Sequence, residues 1–186
     1  VHLQVNGTSE TIVSSGASSN AGTYDQKFRS QPFFAVGSWD TVNSAGISVS
    51  LLKGSGSSEQ KRASEIAELA AGARSFLASW LGAPPDTPIR IVATRRGAGF
   101  ANSGTILVDA SVFRRSKLDS QTAMTVVEGL AKLSLGGSVN ITGEGGGALR
   151  EGLARYLATQ FIENKFGRDV ADVERTRQRS AYASVV

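Results

Sequence analysis

The chain has 186 residues, a formal net charge of +4, 40% hydrophobic and 19% charged residues, a composition that fits one globular domain with a sizeable core and excludes a disordered chain. There is no cysteine and the only histidine is His2, which excludes disulfides, Cys-based zinc sites and any site needing two histidines from one chain. No apolar run approaches the ~18 residues of a membrane-spanning helix, and no block of Lys or Arg marks a nucleic-acid stripe.

The chain begins at Val1 without Met or a signal-like segment, which reads as a processed or excised piece of a longer protein. A single domain over 1–186 is expected, mainly β over 1–56 and α/β passing to α over 57–186. Residues 1–52 read as β-structure. Val1, Leu3 and Val5 alternate with polar residues, and Ile12 and Val13 follow a turn. The stretch 14–22, rich in Ser, Gly, Ala and Asn, reads as a loop. Residues 33–39, FFAVGSW, are an apolar run of strand length. Ile47, Val49 and Leu51 alternate with Ser48, Ser50 and Leu52 as in a half-buried strand. With 40–46 as the link, these two runs form a hairpin or meander.

Residues 54–58 are a flexible break before a helix expected over 59–81. Ser57 or Ser58 is placed to cap it, and Glu59 in its first turn suits the dipole. Ile66, Leu69, Ala73, Phe76, Leu77 and Trp80 keep three-to-four spacing, so one face is expected to be buried. Gly82 and the pair Pro84-Pro85 end it. Residues 88–94, PIRIVAT, and 105–108, TILV, read as strands, with a glycine-rich turn or loop over 95–104 between them. No Lys-Ser/Thr follows that loop and a strand comes next, which argues against a phosphate cradle.

A helix is expected over 119–135, capped by Asp119 or Ser120 and ended by Gly136 and Gly137. Residues 138–147 carry four glycines and read as a loop. The next helix, over 148–166, places Leu149, Leu153, Tyr156, Leu157, Phe161 and Ile162 on one face, and Gly167 stops it. Residues 169–183 read as a further helix with many arginines and few apolar anchors, Arg175, Arg177 and Arg179 forming a solvated face. Trp39, Trp80 and Tyr156 are expected in the core.

The helices over 119–135 and 148–166 present one glutamate each, Glu128 and Glu151. Val127-Glu128-Gly129-Leu130-Ala131 resembles the H-E-x-x-H helix of the gluzincin metallopeptidases, the aminopeptidase N family among them. Leu149-Arg150-Glu151-Gly152-Leu153-Ala154-Arg155-Tyr156 is similar to the family's second helix, N-E-G-F-A-x-Y, which carries the third zinc ligand. Histidines at i and i+4 share one helix face and grip one metal, while the adjacent glutamate serves as general base. The resemblance therefore makes Glu128 the base, Glu151 the third ligand, and Val127 and Ala131 the positions of the lost histidines. Phe34 to Asp40, FAVGSWD, resembles the strand entering the family's catalytic domain. Gly99-Phe100-Ala101-Asn102-Ser103-Gly104-Thr105-Ile106 resembles the exopeptidase loop G-x-M-E-N-x-G-L-I, with Ala101 where the family's glutamate holds the substrate amino terminus.

The resemblance covers about residues 33–166 and implies an α+β, zincin-like fold: a mixed sheet, a long helix against it, then two former active-site helices. It also implies a loss of chemistry. Val and Ala offer no lone pair, and one carboxylate with water holds zinc far too weakly. Zinc, expected in the family, is expected to be absent here, and Glu128 is left with no metal-bound water to activate. Val127 and Ala131 should extend the apolar packing of their helix. The leftover carboxylates then need cations, from Lys132 at i+4 of Glu128, Arg155 at i+4 of Glu151, or Arg150.

The expected function is a non-catalytic, peptidase-like scaffold or a protein- or peptide-binding module, partnered by a protein, a peptide or other domains of a longer chain. The alternative is an active hydrolase whose metal site is atypical or completed by a partner, and a third class is an interdomain spacer. Glu128 and Glu151 also admit a plain reading as helix-surface residues. A glycosidase-type carboxylate pair lacks an aromatic sugar platform beside it. The family's habits and the Ser/Gly/Asn-rich surface suggest an extracytoplasmic setting.

Overall fold

The β-branched runs of the sequence become the middle of a sheet, and the alanine-rich helix between them covers it. The computed structural model describes residues 1–8, 10–27, 32–84, 86–95, 101–102, 104–137 and 141–184. In chain order the elements are β1 (His2–Gln4), β2 (Thr11–Ser14), β3 (Ala17–Asn20), β4 (Thr23–Asp25), β5 (Phe34–Gly37), β6 (Trp39–Ser44), β7 (Ile47–Leu52) and α1 (Ser57–Leu81). They continue as β8 (Ile89–Thr94), β9 (Ala101–Asn102), β10 (Thr105–Asp109), a 3-10 turn (Ala110–Arg114), α2 (Ser120–Gly137), α3 (Gly146–Phe166) and α4 (Arg168–Ala183).

The main sheet has the order β6-β7-β8-β10-β9. Its centre is parallel: Ile47 stands opposite Ile89, Val49 opposite Ile91, and Ile91 opposite Ile106. Both edges are antiparallel, so the sheet is mixed and the fold is α+β, as expected. Parallel neighbours need a long crossover, and α1 supplies the one between β7 and β8. Ala63, Ile66, Ala67, Leu69, Ala70, Ala73 and Leu77 make up its apolar buried stripe, and the alanines among them let the helix approach the sheet closely. Each large aliphatic group buried there contributes roughly 1.5–3 kcal/mol relative to exposure. α2 packs on α1 and on β9 and β10, α3 packs on α2, and α4 packs on α3. No helix among the described residues is long and apolar enough to cross a membrane.

Several expectations for the β-rich half are corrected. Residues 33–39 are not one strand: β5 pairs with β2 in a separate two-stranded sheet, and β6 starts at Trp39. The supposed link 40–46 is mostly β6 itself, and the hairpin to β7 closes at Ala45 and Gly46, with φ of 50° and 75°. Two residues at positive φ match the twist of the flanking strands. The stretch 14–22 holds β3, which pairs with β4 in a three-stranded sheet; all four of its side chains are exposed, so no apolar alternation betrays it. Arg90 on β8 ties this half down by donating from Nη2 to the Gly16 carbonyl at 2.7 Å. Its burial pushes the guanidinium pKa down.

The helices differ in detail. α1 is capped by Gly56 and not by Ser57 or Ser58. Glycine has no side chain to offer, so only the reciprocal half of a capping box forms, the Gly56 N–H donating to Glu59 Oε2 at 2.8 Å. Asp119 caps α2, its Oδ1 accepting from the Thr122 N–H at 2.8 Å. α3 starts at Gly146, and 138–140 of the preceding stretch lie outside the described residues, as do 96–100 and 103 of the glycine-rich stretch before β10.

Two of the three aromatics expected inside are outside. Trp80 is 54% and Tyr156 49% exposed. Their rings meet edge to face at 6.5 Å, and Phe76, partly buried, links Trp80 inward to Phe161. Leu149, expected on the same buried face of α3, is also exposed. Trp39 is half-buried and donates its indole N–H to the Ala93 carbonyl at 3.2 Å.

Candidate functional site

One face of α2 lines a cleft of about 200 Å³. Gln121, Thr125, Glu128 and Lys132 recur at four- and three-residue steps along it, the spacing that stacks side chains on one side of a helix. Ala101 of β9, Ile106 of β10 and Arg155 of α3 complete the walls. Gly129 sets the depth. A Cβ there would lie 2.9 Å from the Ile106 side chain and 3.1 Å from the Ala101 methyl, so the missing side chain lets α2 close on the sheet edge.

The charges form an alternating chain across three helices. Lys132 Nζ lies 2.8 Å from Glu128 Oε1 and 2.5 Å from Glu151 Oε2. Arg155 Nη1 lies 3.5 Å from Glu128 Oε2, and its Nη2 is 3.4 Å from Glu174 Oε1 on α4. Arg177 Nη1 lies 3.6 Å from Glu174 Oε2 and donates to Gln121 Oε1 at 3.1 Å, which returns the chain to α2. Burial opposes the Lys132 charge, but the hydrogen bonds to Glu128 and Glu151 outweigh it and hold the ammonium pKa above the usual lysine value.

The structure thus brings Glu128 and Glu151 together through one lysine. Val127 and Ala131 are wholly buried in the core. Ala101 lies on the cleft wall, and Asn102 is half-buried beside it in β9, opposite Thr105. Gly99 and Phe100 lie outside the described residues.

Two of the expected charge partners change. Arg155 does not pair with Glu151 on its own helix; it goes to Glu128 and Glu174. An exposed i, i+4 pair is worth only about 0.3–0.5 kcal/mol, whereas Glu174, its side chain 8% exposed, is a buried carboxylate that costs several kcal/mol, roughly, if left alone. Arg150 serves neither glutamate. Its Nη2 donates to the Lys132 carbonyl at 3.4 Å and its guanidinium lies over Gly136, a cation at the carbonyl end of α2.

Glu174, buried and paired with Arg155 and Arg177, joins the charge chain without being marked by any motif in the sequence. Ala171, Glu174 and Gln178 fall at helical spacing, Ala171 and Glu174 are buried, and Gln178 donates to Thr159 Oγ1 of α3 at 3.0 Å. That spacing is the signal that could have found it. Of the arginines expected on a solvated face, Arg177 and Arg179 are exposed, although Arg177 also pairs as described, while Arg175 is partly covered and pairs with Glu163 and Asp172. In comparisons with known proteins, no family model and no curated protein matches the chain.

Proposed function

We propose that the chain is a peptidase-like domain of zincin-like architecture, without zinc chemistry, whose cleft binds a peptide or a segment of another protein or domain. One observation carries this reading: the ammonium of Lys132 sits between Glu128 and Glu151, the two carboxylates that the motif resemblance marks as general base and metal ligand. The order of elements agrees with it. A mixed sheet is crossed by a long helix, the two glutamate-bearing helices follow, and the edge strand β9 borders the cleft.

The residues do not fit zinc. Val127 and Ala131 have no lone pair and are packed in the core, and the two nearby carboxylates already share an ammonium. Zinc takes three or four protein ligands, and no group of three or more His, Cys, Asp or Glu among the described residues could hold a metal. On this proposal Glu128, paired with Lys132 and Arg155, forms part of the wall of a binding cleft.

The test is to incubate the purified protein with zinc, dialyse it, and measure bound metal together with cleavage of amino-acid anilides. The expected outcome is substoichiometric metal and no turnover, with peptide binding detected by NMR shifts on α2. Stoichiometric zinc with turnover would overturn the proposal in favour of an enzyme.

A further inference from the structure

Hydrogen-bonding capacity in the cleft is lopsided. Its one carboxylate, Glu128, is engaged at both oxygens, by Lys132 at 2.8 Å and by Arg155 at 3.5 Å. Gln121 Oε1 accepts from Arg177 at 3.1 Å. Ala101 offers only a methyl group. An incoming ammonium would find no uncommitted charged acceptor on the described lining.

The donors are in surplus. Arg155 carries five N–H groups on a planar fork. Its two ionic contacts, at 3.5 and 3.4 Å, are longer than the about 2.7–2.9 Å of a tight charge-assisted bond. Its side chain is 46% exposed. Gln121 is exposed on the same cleft; with its oxygen turned to Arg177, its amide NH2 remains to donate.

We infer that the cleft takes its peptide by a carboxylate, gripped by Arg155 and Gln121. This rests on the peptide-binding role proposed above and specifies its ligand. Repulsion from Glu128 is reduced because its two oxygens already face Lys132 at 2.8 Å and Arg155 at 3.5 Å. Glu174 is the positioning residue: it holds one Nη of Arg155 from α4 and aims the fork. A volume of about 200 Å³ falls short of the roughly 300 Å³ at which ordinary ligand pockets begin. That suits one small residue and its carboxylate, the end of a chain more than its middle.

The experiment uses the 15N-labelled full chain titrated with three acetylated tripeptides: Gly-Ala-Ala as the free acid, the same sequence as the C-terminal amide, and an amide-capped peptide with a central Asp. The free acid is expected to shift the Gln121 side-chain NH2 and the Arg155 Nε–H resonances. Amidation should weaken binding at least about tenfold, the scale of one hydrogen bond to a charged group. Arg155→Gln should do the same. Because that change also strips a partner from buried Glu174, Gln121→Glu at an exposed position is the second variant; it should weaken the acid and spare the amide.

Binding by the free acid alone supports a chain terminus, and equal binding by the Asp peptide supports a side-chain carboxylate. Binding indifferent to amidation and to both variants overturns the carboxylate assignment and leaves the peptide-binding role standing. No shift with any of the three at millimolar concentration overturns both.

Discussion

Lys132 Nζ lies 2.5 Å from Glu151 Oε2, a contact that ties α2 to α3 while the same nitrogen holds Glu128 at 2.8 Å. The two glutamates are not equivalent partners. Glu128 is 18% exposed and Glu151 is 55% exposed at the side chain. Lys132→Met is therefore expected to destabilise the fold by about 1–3 kcal/mol, below the ~3–5 kcal/mol of a fully buried broken pair because Arg155 still faces Glu128. Glu151→Gln should cost under about 1 kcal/mol. Urea denaturation of the two variants checks the order.

Glu174 joins α4 to the cleft, so its loss should be felt in two places. Glu174→Ala is expected to cost about 1–3 kcal/mol, and amide exchange should speed up along α4 before the main sheet is affected. Uniform loss of protection across the whole chain would contradict a role specific to α4.

The pH dependence has opposite signs at two sites. Lys132 titrates above its ordinary value in the folded state because its two carboxylate hydrogen bonds outweigh burial. Its contribution is fully present below the ordinary lysine pKa of about 10.4 and is lost as pH rises through the raised folded value. Asp119 is the reverse: burial pushes its pKa up, but the Thr122 N–H, the Thr122 hydroxyl and Arg115 together hold it below the ordinary value. Its contribution is present above the ordinary aspartate pKa of about 3.9 and fades as pH falls through the lowered one. The stability gap between the native chain and Asp119→Asn should be flat at neutral pH and close in acid, in chemical denaturation followed across pH.

Two glycines should respond differently to alanine. Gly104 has φ of +80°, and a Cβ there would fall on the Pro88 carbonyl oxygen, which is backbone and cannot swing aside. Strained φ and the clash together predict a loss of about 2–4 kcal/mol. Gly129 sits inside α2, where alanine gains up to about 1 kcal/mol of helix propensity. Crowding against Ile106 and Ala101 works against it, at about 1–3 kcal/mol for overpacking. The expected net loss is small, about 1 kcal/mol, with a narrower cleft. Thermal unfolding of both variants gives the ranking.

Long periodic segments were legible in the sequence. α1 and α3 announce themselves through apolar spacing and glycine stops, α2 through its cap and glycine stop, and β7, β8 and β10 through β-branched alternation. What failed to show has a physical reason in each case. The hairpin at Ala45 and Gly46 lacks the Asn-Gly or Asp-Gly signal that usually marks positive φ. β3 has no buried side chain and hence no pattern. Trp80 and Tyr156 share the apolar spacing of their helices, but each sits at the margin of its stripe and is exposed, and the two rings pack on each other. Within the site, Glu128 and Glu151 were found from motif spacing, and Lys132 followed from i+4 proximity. The Arg155–Glu174 link joins two helices, and no local spacing encodes it.

The placement of the two tryptophans gives the chain a built-in optical reporter. Trp39 is half-buried and donates a hydrogen bond to the Ala93 carbonyl of β8, while Trp80 already meets solvent. Opening of the sheet should red-shift the emission of the first indole and leave the second nearly unchanged. A Trp80→Phe chain would then fluoresce from one known position, and its spectrum would follow the β-layer alone.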